Sequence, residues 1–452
     1  MTDTAGASVP GTPKTAGEAP GATGPTRLAR RSFVRSLEID TRLLGMVGAF
    51  AVICLIFQML TGGLIEGRFL TPRNVFNLTI QTVSVAIMAT GMVFVIVTRN
   101  IDLSVGALLA TCSAVMAMVQ TRWVPETLGL PLGHWAIAPL AIVSGIAVGA
   151  LIGAFQGYLI GYLLIPSFIV TLGGLLVWRN VAWYLTNGQT IGPLDETFRT
   201  LGGIGGTLGE GLSWAVGLAA LAAALWGLWA ARRAKLRHDF PVKPLWAEGV
   251  VAAIAAVLIL GFVALLNAYE VPSRVLARDY AARGIEVPEG FVASYGIPFS
   301  VVLLIAIAIG MTLIARRTRL GRYIFATGGN PDAAELSGIN TRLLTVKVFA
   351  LLGALCAISA VVASARLTNH SNDIGTLDEL RVIAAAVIGG TALAGGFGTI
   401  HGAILGALIM QSLQSGMAMV GVDAPLQNIV VGVVLVAAVL IDIVYRRRTG
   451  AR

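Results

Sequence analysis

Asp102 is the residue whose chemistry is hardest to accommodate in this chain. It stands in Thr98-Arg99-Asn100-Ile101-Asp102-Leu103-Ser104-Val105-Gly106, between two long apolar runs. An ionised carboxylate in hydrocarbon is costly, so Asp102 must reach water, a counter-charge or a helix terminus. With an apolar run after it and Ser104 nearby, it fits a helix-capping or first-turn acid. Asn100, Asp102 and Ser104 are equally candidates to line a path between helices. A second polar station is Pro166-Ser167-Phe168, where Ser167 and Thr171 lie four apart and share a helix face. Downstream, Trp178, Arg179, Asn180, Trp183 and Tyr184 place aromatic and polar groups towards the far end of the same run, ahead of Asn187. Aromatics there read as interfacial anchors or as a stacking surface for a sugar ring.

Covalent chemistry finds no foothold. Cys54, Cys112 and Cys356 lie inside apolar runs at no metal-ligand spacing and read as small buried hydrophobes. His134, His238, His370 and His401 likewise form no ligand set. There is no Gly-x-Ser-x-Gly elbow and no His-Glu-x-x-His. Gly389-Gly390-Thr391 and Gly395-Gly396-Phe397-Gly398 resemble a phosphate cradle superficially, but no Lys-Ser or Lys-Thr follows. Thr391 is instead a candidate for a helix break or path.

The elements that position these residues are apolar helices. Hydrophobic residues make up 56% of the 452 and charged residues only 12%, about half of what a soluble domain carries. The net charge of +9 resides in arginines at the ends of apolar runs, not interleaved with aromatics on one face, so nucleic acid is not the implied partner. Residues 1–40 form a basic tail whose first part is rich in Gly, Ala, Pro, Ser and Thr and reads as disordered, without the form of a signal peptide. Candidate crossings are 43–61, 76–97, 101–119, 134–160, 163–185, 212–231, 247–267, 296–315, 343–362, 380–396, 400–419 and 423–444. Starting inside, this count puts the basic 232–243 and 316–342 loops and the arginine-bearing C-terminus on one side, with the mixed-charge 268–295 loop opposite. The reversals at 98–100 and near Gly161 are the places where broken or re-entrant segments would replace complete crossings.

Small residues recur at helix-packing intervals. Gly145, Gly149, Gly153, Gly157 and Gly161 line one side of the fourth run, and Gly398, Gly402 and Gly406 repeat the spacing later. Such ladders let helices approach closely where lipid provides no hydrophobic drive. Between two apolar runs lies RRTRLGRYIFATGGNPDAAELSGINTRLLTVK, Arg316 to Lys347. There Asn330 caps a short helix, Pro331 occupies its first position, Asp332 and Glu335 favour its positive end, and Ser337-Gly338 closes it.

Three ordered stretches carry a family resemblance: GMVFVIVTRNIDLSVG from Gly91, IPSFIVTLG from Ile165 with the Asn187-Gly188 end, and GRYIFATGGNPDAAELSGIN with ELRVIAAAVIGGTALAGG. The chain resembles the inner-membrane permease subunits of bacterial ATP-binding cassette (ABC) importers for monosaccharides, the ribose/xylose/galactoside group, and most of all its xylose branch. The resemblance implies an all-α polytopic transmembrane bundle of about 10–12 spans over 41–445, with cytoplasmic tails at 1–40 and 446–452 in a bacterial cell membrane. It implies a homodimer or paired permease, two cytoplasmic ATPases and an extracytoplasmic sugar-binding protein. ATP and magnesium are then used by the partner, and this chain binds no cofactor or metal. The family's ATPase-docking helix maps onto Asn330, Pro331, Ala334, Glu335, Ser337 and Gly338 of the 316–342 loop. Two departures stand out. The family core has ten crossings, so 212–267 is an extra helix pair, and Phe397 occupies a position that is often basic. The expected cargo is xylose or another pentose; ribose, galactose, a nucleoside or a branched-chain amino acid are alternatives, as is ion-coupled secondary transport on the strength of Asp102.

Overall fold

In hydrocarbon a backbone must satisfy its own polar groups, and runs this long and apolar do so as helices. The computed structural model describes residues 41–203, 205–282 and 291–449; the expected tail at 1–40, residues 450–452, and Arg283, Glu286 and Glu289 lie outside the described residues. Fourteen helices carry the architecture: α1 (Thr41–Leu60), α2 (Pro72–Val97), α3 (Val105–Met118), α4 (Ile137–Gly161), α5 (Ser167–Thr186), α6 (Gly209–Arg237), α7 (Leu245–Asn267), α8 (Phe299–Arg317), α9 (Arg319–Gly329), α10 (Pro331–Leu336), α11 (Thr341–Leu367), α12 (Asp378–Ile388), α13 (Ile400–Met419) and α14 (Ala424–Thr449). Among the described residues ten helices are long and apolar enough to cross a membrane, α3 being extended to Leu128 through a π-helical turn at Val119–Trp123. Among the described residues, strand structure is limited to isolated β-bridges.

α2, α3 and α11 form the centre. Within the most apolar stretch of each helix, 89% of α2 is buried against 6% of α6 and 11% of α7, so the α6–α7 pair is peripheral. The tightest helix pair is α4 on α11, and its glycines explain why. A Cβ on Gly157 would come 2.7 Å from the Val346 Cα, and one on Gly161 2.6 Å from the Arg342 carbonyl oxygen. Gly149 and Gly153 press on the backbone at Gly353 and Phe349, while Gly145 faces Met116 of α3. The later ladder does the same work: Gly402 lies on Gly389, Gly406 on Ala385, and Gly398 fits among Val93, Val97 and Thr391.

Three expected features take a different form. The 380–396 crossing is not one continuous helix: α12 has 11 residues and ends at Gly389, so the chain crosses here as the non-helical 368–377 segment followed by α12, before a turn into α13. Its glycine-rich sequence lets the chain turn, with Gly395 and Gly396 at φ +88° and +77°, where a side chain would be strained. The reversal after α2 is a turn at Thr98-Arg99 followed by a non-helical connection to Ser104 that runs beside α5 before α3 begins. Ile101 lies at Ser167 and Thr171, and a Cβ on Gly174 would reach Gln156 and Ser104. Seven residues separate Ser167 from Gly174, a rise of about 10 Å along α5, so α3 starts inside the bundle. The turn near Gly161 is simply short, with Leu164 at φ 57°. From the opposite end, 368–377 descends until Gly375 meets Gly106, and α12 also starts inside.

The ladder is directly testable. Gly153→Val must push α4 from the Phe349 backbone and is expected to cost about 1–3 kcal/mol, read as a lowered midpoint of thermal unfolding in detergent. Gly310→Ala, at a position with nothing within 4 Å, is expected to leave that midpoint unchanged or raise it.

Candidate translocation path and coupling surface

Asp102 is buried with 1% of its surface exposed. Its Oδ1 accepts hydrogen bonds from the backbone N–H and hydroxyl of Ser104, both at 2.7 Å. It therefore fixes the residue that precedes α3 instead of capping the helix itself, since the Ser104 N-cap makes no side-chain cap bond. The Gln156 amide donates to Ser104 Oγ at 3.0 Å, tying α4 to this point. Ile101 N–H donates to Ser167 Oγ at 3.4 Å, and Thr171 Oγ1 donates to the Ser167 carbonyl at 2.9 Å and that of Ile101 at 3.3 Å. Pro166 sets the start of α5 with φ −52°. Asn100 bonds locally, to Thr98. These residues come together as a buried fastener between α3, α4 and α5.

Asn187 lies at the other end of α5, in the left-handed conformation that terminates the helix. Thr391 is buried beside Gly398, and its hydroxyl has no hydrogen-bond partner among the described residues. Neither joins the fastener.

The large cavity, about 640 Å³, is elsewhere. Its polar lining comes from Gln81 of α2, Arg366 of α11, Asp378 and Arg381 of α12, and Gln411 and Gln414 of α13. Gln411 donates to Gln81 Oε1 at 2.9 Å, and Arg381 pairs with Asp378 at 3.0 Å. Asp373, Gly375 and Thr376 of the descending segment close one side. That segment is held by Arg179, which donates to the carbonyls of Asn372 at 3.0 Å and Ile374 at 2.6 Å and so staples it to α5. His370 is fastened by its backbone to Ile191 and through Nδ1 to Ser113 Oγ at 2.9 Å. The signal in the sequence was a set of polar side chains on one face of an apolar helix: Gln411, Gln414 and Ser415 stand at helical intervals in α13.

At the arginine-rich end, where α8 finishes with Arg316 and Arg317, α9 and α10 form the connection to α11. Asn330 Oδ1 accepts from Ala333 N–H at 3.0 Å, and Pro331 opens α10. Ser337 follows the last helical residue and Gly338 takes φ +82°. Ala334 is buried, while Glu335 and Leu336 are exposed, Leu336 by 90%. The connection is anchored to the core by an arginine from the segment after α2. Arg99 donates through Nε to the Gly328 carbonyl at 2.9 Å and through Nη2 to that of Gly329 at 2.8 Å. Gly396 N–H donates to Val97 O at 3.0 Å in the same place. Arg42 of α1 lies 5.1 Å from the Phe397 ring centre.

Membrane-length helices joined by a buried polar fastener, with a polar cavity between them, make this a polytopic helical membrane protein. The chain matches the family described as "Branched-chain amino acid transport system / permease component" over residues 74–203 and 197–439, and it belongs to that family. It is 37% identical over 406 residues to the Xylose transport system permease protein XylH of Haemophilus influenzae, covering 90% of this chain and 97% of that protein. The Escherichia coli protein of the same name is 36% identical over 414 residues, covering 91% and 94%. The Ribose import permease protein RbsC of Escherichia coli is 31% identical over 375 residues, covering 83% and 87%. No solved structure matches the chain with significance.

The Asp102 fastener separates charge from hydrogen bonding. Asp102→Asn keeps an oxygen acceptor for Ser104 and is expected to preserve membrane levels and most transport. Asp102→Ala leaves the buried Ser104 N–H unpaired, a penalty of about 1–3 kcal/mol, and is expected to lower the yield of folded protein on size exclusion. Equal loss in both variants at normal protein levels would assign the site a requirement for negative charge.

Proposed function

We propose that this chain is the membrane permease of an ABC importer for xylose or a closely similar pentose. The cavity carries the reading. Its volume lies in the range of about 300–1,000 Å³ typical of small-molecule sites, and its amides, hydroxyls, carboxylates and guanidinium groups both donate and accept. A neutral polyol needs that mixture, since each hydroxyl is donor and acceptor at once. The chain's likeness to two proteins named as xylose permeases and one named for ribose narrows the class to pentoses. The path then follows the cavity of α2, α11, α12 and α13, with the Asp102 group as the fastener beside it.

In this reading the arginine-rich end is cytoplasmic by the positive-inside rule, and both termini share that side. α10 docks in a partner ATPase, which binds and hydrolyses ATP; the opposite face receives a sugar-binding protein, and a second permease completes the pore. Leu336 and Glu335 supply the contact: an apolar side chain exposed this far on a short helix gains most by burial in a partner's groove. Force applied to α9–α10 reaches the core through Arg99, which bridges the α9 end and the segment leading into α3. A separate role for the α6–α7 pair is not needed for this cycle.

Two measurements test the reading in vesicles reconstituted with the cognate ATPase and binding protein. Gln414→Ala removes one cavity amide and is expected to reduce xylose uptake roughly 2–10-fold, the value of one hydrogen bond, with basal ATP hydrolysis unchanged. ATP-driven leucine uptake with no xylose uptake by the wild-type protein would replace the cargo. For coupling, Leu336→Asp and Glu335→Arg are expected to insert normally but lose co-purification with the ATPase, or retain it with hydrolysis uncoupled from uptake. Wild-type binding, hydrolysis and uptake in both would remove α10 from the mechanism.

A further inference from the structure

A recess for an uncharged solute has no need of charge, yet four charged side chains line the large cavity between α2, α11, α12 and α13. They are Arg366, Asp373, Asp378 and Arg381, two of each sign. Behind them Arg179, bonded to the Asn372 and Ile374 carbonyls, stands near Glu379, and these two also cancel. The closest pair forms the floor. Arg381 Nη1 donates to Asp378 Oδ1 at 3.0 Å, with 23% and 12% of the two side chains exposed. Each spends a single atom on the other, so Asp378 Oδ2 and the remaining guanidinium N–H groups stay available to the cavity that both residues line. α12 begins at Asp378, which places the carboxylate at the positive end of that helix. Arg366, Arg381 and the helix terminus would together make the floor a place for an anion; Asp378 is the resident charge that prevents it.

We propose that Asp378 and Arg381 are the specificity-determining pair of this cavity: they bind adjacent hydroxyls of an uncharged sugar and reject the sugar acid and the amino sugar of the same skeleton. The proposal rests on the pentose reading and names the residues that select within it. An acceptor and a donor held side by side match a vicinal diol, in which each hydroxyl can give or take a proton. Hydrogen bonds to ionised groups are also stronger than those to the amides of Gln81, Gln411 and Gln414. A carboxylate in place of a hydroxyl meets Asp378, and an ammonium meets Arg381. Either brings a charge out of water into a lining that has no counter-charge left to give it.

The test is equilibrium binding to the full chain purified in detergent without its partners, so that a binding protein does not preselect the ligand. Labelled xylose, xylonate and xylosamine are the probes. The wild type is expected to bind xylose and neither charged analogue. Asp378→Asn leaves the lining one unit positive; it should weaken xylose roughly 10–100-fold, the value of a hydrogen bond to a charged group, and should gain saturable binding of xylonate. Arg381→Gln leaves it one unit negative and should gain xylosamine instead, which keeps the test open if Asp378→Asn folds poorly. Loss of structure does not produce a gain of binding whose sign follows the charge removed. Xylose binding by the wild type with no gain of either charged analogue in the variants would overturn the pair alone, as would a wild type that binds xylonate as tightly as xylose. A wild type with no saturable xylose binding would remove the cavity from the transport reading, and the pair with it.

Discussion

Two helices begin inside this bundle, and the rest of the arrangement follows from how those beginnings are satisfied. α3 starts at Val105 after a climbing non-helical segment, and α12 starts at Asp378 after a descending one. A helix start exposes unpaired N–H groups and the positive end of the helix dipole, which lipid cannot solvate. Here the carboxylates Asp102, Asp378 and Glu379 gather at the two starts, and Gly106 and Gly375 let the segments touch. Each non-helical stretch is then fixed from the side: Ser167 and Thr171 hold the first, Arg179 and Ser113 the second. Irregular backbone survives at this depth because protein, not lipid, surrounds it.

That arrangement also explains why the cavity lies where it does. A full-length helix in place of 368–377 and α12 would fill the space between α2, α11 and α13. Starting α12 part-way leaves a recess above it, floored by Asp378 and Arg381 and walled by glutamines. Below, the glycine turn at 389–399 returns to Val97 and Gly328, where Arg99 joins α9 to the same group of backbone carbonyls. The floor of the recess and the surface helix α10 are thus connected through a short series of hydrogen-bonded segments.

Much of this was legible in residue types. Apolar length found the ten long helices, and the four-residue glycine period found the α4–α11 contact because in lipid close approach is the only route to strong packing. Asn330, Pro331 and Gly338 announced α10, since caps act through local geometry that needs no tertiary context. What failed to show was tertiary. Residues 380–396 are as apolar as a span, and nothing local says that α12 ends at Gly389 because its continuation is needed against Val97. Asp102 looked like a cap because sequence spacing cannot distinguish bonding to a helix from bonding to the residue before it. Arg99, Arg179 and Gln81 find their partners far away in the chain, at separations that no motif encodes.

The α6–α7 pair is attached in an unusual way. The chain leaves the core at Leu208 and returns at Ile297, and these two residues are hydrogen-bonded neighbours, N–H to carbonyl at 2.9 Å. Gly209 N–H donates to the Tyr295 carbonyl at 3.0 Å and Phe299 N–H to that of Gly206 at 2.9 Å, closing the neck on both sides. Everything from 209 to 296 is therefore an excursion whose two ends already touch. Near the neck it packs on α2, where Tyr269 lies 5.1 Å from the Phe76 ring centre, while changes at its far end leave that closure in place. The pair is free to change with the membrane it meets, while the transport core stays as it is.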